Sequence, residues 1–279
     1  MSVDQSFPIV EEWNSPLPAV EAFTRLAVLP HVLFLDSAMP HETLGRYSFI
    51  TADPFDYLQL PADGSDGLAL LEERLQPFSA TTIPELPPFQ GGAAGLLSYD
   101  LGRSLERLPD PQFDEFNLPA LAIGLYDIVL AYDHHQQRAW FISHGYPEPS
   151  QGAREVRARQ RIEQFRTVLA SPAVTRNSTA SKPLEICELA PSFRVPGPDG
   201  LLSNFTAAEY LAAVARAIEY IHAGDIFQVN LSQRLLYPAT GDSLALYRRL
   251  RERNPATFAA YFDLGDAQIV SASPERFVK

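Results

Sequence analysis

The sequence predicts a protein that combines helices with antiparallel strands, because signals for both are mixed along the chain. Two pairs of apolar strands flank the short polar turns Asp133–Arg138 and Asp263–Asp266. A short turn reverses the chain, so each pair is predicted to be an antiparallel hairpin. Three longer segments repeat apolar residues every three or four positions, which is the period of an amphipathic helix. These segments are residues 151–169, 206–221 and 243–253.

The N-terminal third begins with a helix. Pro18 stands where a helix starts, and Phe23 and Leu26 belong to the apolar face that follows. Strands are predicted next at residues 32–35 and 46–51, and a short helix at residues 68–75. In the second strand Tyr47 and Phe49 share one face, because successive side chains alternate between the faces of a strand.

The glycine-rich stretch Gln90–Gly95 precedes a predicted strand at residues 96–99. A phosphate-binding loop would require a following Gly-Lys-Ser or Gly-Lys-Thr, and none follows. We therefore interpret the small residues as a place where two strands or layers approach closely.

The middle of the chain contains adjacent histidines, which are candidates for a metal site, and a helix rich in arginines. His134 and His135 are adjacent, so on a strand end their side chains point apart and make a poor metal pair; a solvated turn is predicted. The helix at residues 151–169 is predicted to turn its arginines to solvent, since the protein as a whole is acidic. Its predicted buried stripe consists of Val156, Ile162, Phe165 and Leu169.

Composition narrows the class of protein. The chain has 279 residues, 46% hydrophobic and 20% charged, which fits one large or two moderate packed domains. A net charge of −12 argues against a nucleic-acid backbone or an anionic membrane as partner. Cys187 is the only cysteine, so no intrachain disulfide or cysteine zinc cluster can form. Without a signal-peptide pattern or a long apolar run, the sequence predicts a soluble cytoplasmic protein.

Residues 171–202 are rich in Ser, Thr, Pro and Gly and are predicted to link a first domain, residues 1–170, to a second, residues 203–279. In the second domain Thr206 and Glu209 form a capping box, and Gly224 suits a left-handed helix stop. Its two helices and about three strands are too few for a core like that of the first domain. We therefore expect that either further sequence or the first domain supplies the missing surface.

The segment after Gly224 is predicted to be a strand, because Phe227, Val229, Leu231 and Leu235 alternate with polar residues. Gln228, Asn230, Ser232 and Arg234 form the polar face. A polar face needs either water or buried partners. Two interpretations stay open: a half-exposed antiparallel strand, or the polar floor of a binding site.

Several motifs together resemble one family, the chorismate-utilising enzymes that include component I of aminodeoxychorismate synthase and of anthranilate synthase. Ala223–Arg234 resembles the family signature, Ser273–Phe277 its next motif, and Phe34–Ser37 its N-terminal effector motif. Gly91–Arg103, followed by Glu106, is similar to the aminodeoxychorismate branch, in which Tyr-Asp-Leu-Gly-Arg is usual. The resemblance covers essentially the whole chain in order.

The resemblance implies an α+β fold with antiparallel β-sheets packed between helices, and an enzyme that aminates the ring of chorismate. A separate glutamine amidotransferase, component II, supplies the ammonia, and Mg²⁺ holds the substrate carboxylate. In the aminodeoxychorismate branch the product serves 4-aminobenzoate and folate synthesis. The family's metal-binding glutamates and Lys-Gly-Thr motif match nothing up to Lys279. The resemblance therefore implies that these residues are an N-terminal portion, inactive alone, with the Mg²⁺ ligands outside it.

The resemblance also assigns site residues. Glu275 matches the family's general acid/base; without the motif, an ion pair with Arg276 would be the simpler interpretation. The family's effector pocket binds tryptophan. An amino acid requires an anion partner, an ammonium acceptor and a flat apolar surface. In this chain Arg46, then Asp36 or Ser37, and Phe258 are the candidates for these three roles. The matching positions are Ser37, Leu44, Gly45, Arg46, Tyr47, Thr257, Phe258 and Ala259. Thr257 stands where a proline is common, and Ser48 where family members can carry an acid.

Three functions follow as hypotheses. The first is a portion of an aminodeoxychorismate synthase component I, active only when complete. The second, within the same family, is anthranilate synthase component I. The third is a non-catalytic module that binds an amino acid, because both sides of the effector pocket fall within these residues.

Overall fold

A computed structural model describes residues 8–39, 41, 44–109, 113–172, 190–239 and 241–276. Five α-helices and thirteen strands are found in this part of the chain, together with a 3₁₀ helix at Tyr99–Ser104. In chain order they are β1 (Ile9–Glu12), α1 (Ala19–Leu26), β2 (Leu33–Asp36), β3 (Tyr47–Thr51), β4 (Asp56–Leu60), α2 (Gly67–Leu75), β5 (Gly92–Leu97), β6 (Leu121–Tyr126), β7 (Ile128–Asp133), β8 (Arg138–Ser143), α3 (Gln151–Ala170), β9 (Phe193–Arg194), β10 (Leu202–Ser203), α4 (Ala207–Ala223), β11 (Leu235–Leu236), α5 (Ser243–Arg253), β12 (Phe258–Asp263) and β13 (Gln268–Ser273).

The chain forms two compact units, each described separately below. The larger unit contains residues 1–109, 118–179 and 242–279, and the smaller unit contains residues 110–117 and 180–241. The hairpin of the last two strands thus clusters with the N-terminal residues. The linker at residues 171–202 stays a prediction, and its residues 173–189 lie outside the described part, as does Cys187.

A seven-stranded sheet forms the centre of the larger unit, in the order β1-β8-β7-β3-β2-β12-β13. Every neighbouring pair in it is antiparallel. Both predicted hairpins are present, as β7–β8 and β12–β13. The predicted α+β class with antiparallel sheets is therefore confirmed.

Helices α1, α3 and α5 bury their apolar faces in one core with this sheet. Phe23 of α1 stacks on Phe34 of β2 with ring centroids 4.8 Å apart, and Tyr247 of α5 meets Phe34 edge-on at 5.9 Å. Phe165 of α3 belongs to the same core. Each fully buried ring stabilises the fold by about 2–3 kcal/mol. Among the described helices, none has the length and apolar content needed to cross a membrane.

A second sheet of the larger unit has the order β4-β6-β5. The glycine-rich stretch is itself strand β5, and the residues predicted as a strand after it end in the 3₁₀ helix, which corrects the predicted boundaries. A Cβ on Gly95 would lie 2.1 Å from the carbonyl oxygen of Ala122 on β6. The predicted close approach of two strands is confirmed.

The apolar residues before the turn Asp133–Arg138, which were predicted to form one hairpin strand, are divided at Asp127 into β6 and β7, which belong to different sheets. Asp127 is buried and pairs with Arg157 at 3.0 Å and with Arg161 at 3.2 Å. Burial raises the pKa of Asp127, and the two guanidinium groups oppose that rise.

Helix α3 departs from the prediction in two places. Arg161 is only 5% exposed, so it does not belong to a solvated face, whereas Val156, predicted as buried, is 56% exposed. The reason is tertiary: the helix turns Arg161 toward the buried carboxylate of Asp127, which helical spacing alone cannot reveal.

In the smaller unit α4 has the predicted capping box of Thr206 and Glu209, and Gly224 stops it at φ 80°. The predicted strand after Gly224 is wrong over most of its length, since only Leu235–Leu236 form a strand, β11, which pairs with β10. A strand requires a neighbouring strand as hydrogen-bond partner, and no described strand pairs with residues 225–234. Phe227 is 93% exposed.

Candidate functional site

The two sides of the predicted effector pocket meet at one end of the seven-stranded sheet. Antiparallel order places the end of β2, the start of β3 and the start of β12 at the same edge. Ala259 pairs with Asp36, and the amide of Met39 donates to the carbonyl oxygen of Ala256 at 3.2 Å. Segments more than 200 positions apart in the sequence are thereby brought into contact.

One face of the sheet at this edge is apolar and partly open. Leu35 lies opposite Ala260 and Phe49 in the strand register, so these side chains share a face with Tyr47 and Phe258. Tyr47 and Phe258 are half-buried. The two rings form a partly exposed apolar surface, and its use as the flat surface of an effector pocket stays a prediction.

Arg46, the predicted anion partner, is engaged within the fold. Its Nη2 and Nε lie 2.6 and 3.0 Å from Oδ2 of Asp133, and its guanidinium lies over the ring of Tyr47. Burial raises the pKa of Asp133, but hydrogen bonds from Arg46 and from backbone amides outweigh it, so the net pKa is lowered. A ligand carboxylate would therefore share Arg46 with Asp133.

Asp36 is unavailable to a ligand, because its side chain turns to the opposite face of the sheet. It is 2% exposed and accepts hydrogen bonds from the hydroxyl of Tyr247 at 2.8 Å and from Nε of Arg251 at 2.6 Å. Of the two predicted ammonium acceptors, Ser37 alone stays adjacent to the apolar face, and its hydroxyl donates to the carbonyl oxygen of Tyr47 at 2.5 Å.

Ser48 connects these groups. Its Oγ accepts from the amide of Ser37 at 3.0 Å, donates to Asp36 at 3.3 Å and lies 2.7 Å from Nε2 of His134. Burial lowers the pKa of His134. A solvated turn was predicted for His134, but its side chain is partly buried in a polar network. Sequence reasoning missed this network. No local pattern indicates it, because the contacts are long-range.

The loop between β2 and β3 carries Leu44 and Gly45. The amide of Leu44 donates to Nδ1 of His41 at 3.1 Å, and the Leu44 side chain is exposed. A Cβ on Gly45 would lie 2.2 Å from the carbonyl oxygen of Met39. Glycine is thus required by the close turn of this loop, and the assignment of both residues to an effector pocket stays a prediction.

Thr257 and Glu275 lie on neighbouring segments at the same sheet edge. Thr257 is 4% exposed, and its hydroxyl donates to the carbonyl oxygen of Pro274 at 3.1 Å. Glu275 is exposed, and the guanidinium of Arg276 lies 5.4 Å from the ring centre of Phe258. No ion pair of Glu275 with Arg276 or any other described residue is formed. The assignment of Glu275 as general acid/base stays a prediction.

The described residues do not fit a Mg²⁺ site. Among them, no three His, Cys, Asp or Glu side chains lie close enough together to hold a metal ion.

The smaller unit contains an open cavity of about 620 Å³ lined by aromatic residues and by Arg234 and Glu115. Arg234 pairs with Glu115 at 2.5 Å, and this hydrogen bond lowers the pKa of Glu115 to about 2. The rest of the predicted polar face, Gln228, Asn230 and Ser232, is exposed. Its role as a polar floor stays a prediction.

Comparison with known proteins gives a consistent family. A family model described as chorismate binding enzyme matches residues 38–279. The chain is 33% identical to aminodeoxychorismate synthase component 1 of Salmonella typhimurium, over 95% of the chain and 55% of that protein. It is 37% identical to anthranilate synthase component 1 of Thermus thermophilus, over 93% of the chain and 54% of that protein.

A solved structure shares the fold. Anthranilate synthase component I of Streptococcus pneumoniae superposes with a TM-score of 0.60 at 27% identity, over 85% of the chain and 52% of that protein. The chain thus spans about half the length of the curated relatives it matches.

Proposed function

The chain belongs to the chorismate-binding enzyme family, and we propose that it is the N-terminal portion of component I of an aminodeoxychorismate synthase. The complete enzyme would aminate chorismate to 4-amino-4-deoxychorismate for 4-aminobenzoate and folate synthesis. Relatives with aminodeoxychorismate and anthranilate names match at similar identity, so the choice of product rests on the chain's own residues.

The choice between aminodeoxychorismate and anthranilate as the product rests on the segment Gly91–Arg103. Its Tyr-Asp-Leu-Gly-Arg sequence, which resembles the aminodeoxychorismate branch, forms the 3₁₀ helix after strand β5. Arg103 pairs with Asp100 at 3.0 Å, which stabilises this turn. Tyr99 is almost fully exposed and is available to a further part of the complete protein.

Glu275 is the proposed general acid. Ammonia forms a C–N bond to the ring as the C–O bond of the ring hydroxyl breaks. The hydroxyl takes a proton from Glu275 and leaves as water, and the new ammonium group returns a proton to the Glu275 carboxylate. A carboxyl group screened from water holds that proton more readily. Glu275 is exposed in the described part, so in this proposal the remainder of the enzyme provides the screening.

The partners and cofactor of the complete enzyme are likewise proposals. A glutamine amidotransferase component II would supply ammonia, and Mg²⁺ would be held by residues outside this chain and would bind the substrate carboxylate. The enzyme would act in the cytoplasm.

Reading the genomic DNA downstream of codon 279 is the first test. An open frame that encodes a Lys-Gly-Thr motif and paired glutamates supports the proposal of a portion. A stop codon at this position in every isolate would contradict it.

Complementation with the complete gene tests the product. We expect growth of a strain that lacks aminodeoxychorismate synthase component I on medium without 4-aminobenzoate, and loss of that growth with Glu275→Gln. Rescue of a tryptophan auxotroph instead would establish anthranilate synthase, the second candidate, which the 37% identity to the Thermus protein favours.

A non-catalytic module that binds an amino acid is the third candidate. It is supported by the meeting of Ser37, Arg46 and Phe258 at one sheet edge. Calorimetry of the purified chain with tryptophan tests it, with Phe258→Ala as the control variant. No heat at millimolar tryptophan would contradict it.

A further inference from the structure

The segment on both sides of Glu275 contacts Phe258, the first residue of β12, and Thr257, the residue before it. On one side, the hydroxyl of Thr257 donates to the carbonyl oxygen of Pro274 at 3.1 Å. On the other side, the guanidinium of Arg276 lies over the ring of Phe258. Glu275 itself is exposed between these two anchored neighbours.

Strand pairing adds a third constraint. Phe258 is the register partner of Ser273, which ends β13 two residues before Glu275. The hydroxyl of Ser273 donates to the carbonyl oxygen of Glu275 at 3.0 Å. The turn Ser273–Arg276 is thereby closed on itself and fixed to the start of β12.

The side chain of Thr257 supplies a hydroxyl donor next to the turn that carries Glu275. The hydroxyl of Thr257 is buried, and its partner is a backbone carbonyl oxygen in a segment without a long regular ladder. A buried hydrogen bond of this kind contributes about 1 kcal/mol, enough to favour one conformation of a short turn several-fold.

We propose that Thr257 is a positioning residue for Glu275. Its hydroxyl fixes the carbonyl of Pro274, and with Phe258 and Ser273 it holds the Glu275 carboxyl at the angle needed to protonate the leaving hydroxyl. This inference rests on the proposed function, because it assigns a purpose to the placement of Glu275. It also moves Thr257 from the effector pocket to the catalytic side.

The contact is tested on the 279-residue chain by ¹⁵N relaxation. Thr257→Val keeps the shape of the side chain but removes the donor, and we expect the order parameters of the Glu275 and Arg276 amides to fall by about 0.2. Thr257→Ser should restore them. Thr51→Val is the matched control, because Thr51 is equally buried and its hydroxyl donates to the carbonyl oxygen of Ile128 at 2.6 Å. Unchanged order in Thr257→Val would overturn the inference.

The purpose of the contact is tested in the complete enzyme. We expect Thr257→Val to lower kcat about tenfold with little change in the KM for chorismate, because a misplaced acid affects the transition state more than substrate binding. Thr257→Ser should recover most of kcat, and Thr51→Val should leave kcat near wild type. Equal kcat for Thr257→Val and Thr51→Val would overturn the positioning role.

Failure of the underlying function has a different signature. If Glu275→Gln keeps full kcat, the general-acid role is wrong, and the positioning role is overturned with it. If Glu275→Gln abolishes turnover while Thr257→Val does not affect it, the proposed chemistry is supported and only the role of Thr257 is overturned.

Discussion

Arg159 and Arg161 are two positions apart on helix α3 and lie in opposite environments. Arg161 reaches the buried carboxylate of Asp127 and also donates to Asp53 at 2.6 Å, whereas Arg159 forms an exposed pair with Glu155. Removing one partner of a buried ion pair leaves a charge without compensation.

We therefore expect Arg161→Met to lower the free energy of unfolding by about 3 kcal/mol, the lower end for buried pairs because Arg157 still contacts Asp127. Arg159→Met is the control and should change it by less than about 0.5 kcal/mol. Urea unfolding at pH 7 measures both. Equal effects of the two variants would contradict the buried role of Arg161.

His144 makes the free energy of unfolding depend on pH. Its Nε2 donates to the carbonyl oxygen of Gln90 at 2.9 Å, and burial lowers its pKa from 6.5 to about 4. The unfolded chain therefore binds a proton between these pH values that the folded chain does not. The contribution of His144 to stability is complete above pH 6.5 and is lost as the pH falls toward 4.

Replacing His144 with Gln keeps an N–H donor but removes the titration. We expect the loss of stability between pH 6.5 and pH 4.5 to shrink by about 2 kcal/mol relative to wild type. His135→Gln, at an exposed position, should leave that loss unchanged. Urea unfolding at several pH values measures the difference, and parallel pH profiles for His144→Gln and wild type would refute the assignment.

At the scale of elements, strand β5 requires a residue without a side chain at Gly95. Because a Cβ on Gly95 would overlap the carbonyl oxygen of Ala122, we expect Gly95→Ala to destabilise the β4-β6-β5 sheet by about 2 kcal/mol, comparable to overpacking a core. Gly152→Ala is the control, since nothing lies near its Cβ in helix α3; it should be neutral or stabilising by up to about 1 kcal/mol. Thermal unfolding distinguishes them, and equal melting temperatures would contradict the close approach.

Elements specified by neighbouring residues were predicted well from sequence. Helix α4 begins at the capping box of Thr206 and Glu209 and ends at Gly224, and all three signals lie within or beside the helix. Helix α5 occupies the predicted residues. The segment at residues 227–234 failed because strand formation requires a partner, and no property of the segment itself supplies one.

The candidate site was likewise predicted where local motifs specify it and missed where distant contacts do. The sequence motifs alone placed Ser37, Arg46 and Phe258 in one predicted pocket. They did not indicate that Asp36 turns away toward Arg251, or that Thr257 bonds to Pro274. These contacts depend on which face of a strand meets a distant element, which a one-residue shift of register would reverse.

At the scale of the whole molecule, the two compact units differ in how much they bury. Helix α4 of the smaller unit has no buried residue, whereas the larger unit contains every buried cluster of the described residues. Segments with few buried apolar contacts open at lower free energy. The smaller unit should therefore unfold first.

Two probes can separate the units, because both tryptophans, Trp13 and Trp140, belong to the larger one. We expect helical circular dichroism to begin its decrease at lower urea than tryptophan fluorescence. Gly224→Ala, at a left-handed position, should move that early phase by about 1 kcal/mol and leave fluorescence unchanged. Coincident transitions for both probes would show instead that the chain unfolds as one unit.

The pairing of β2 with β12 also has a consequence for synthesis on the ribosome. Asp36 and Tyr247, which meet beneath this pair, are 211 positions apart. Strand β2 therefore emerges early and has an open edge until β12 follows, many seconds later at about 5–20 residues per second. During that interval its backbone is a template for wrong pairing. The nascent chain should accordingly depend on chaperones until its C-terminal hairpin has emerged.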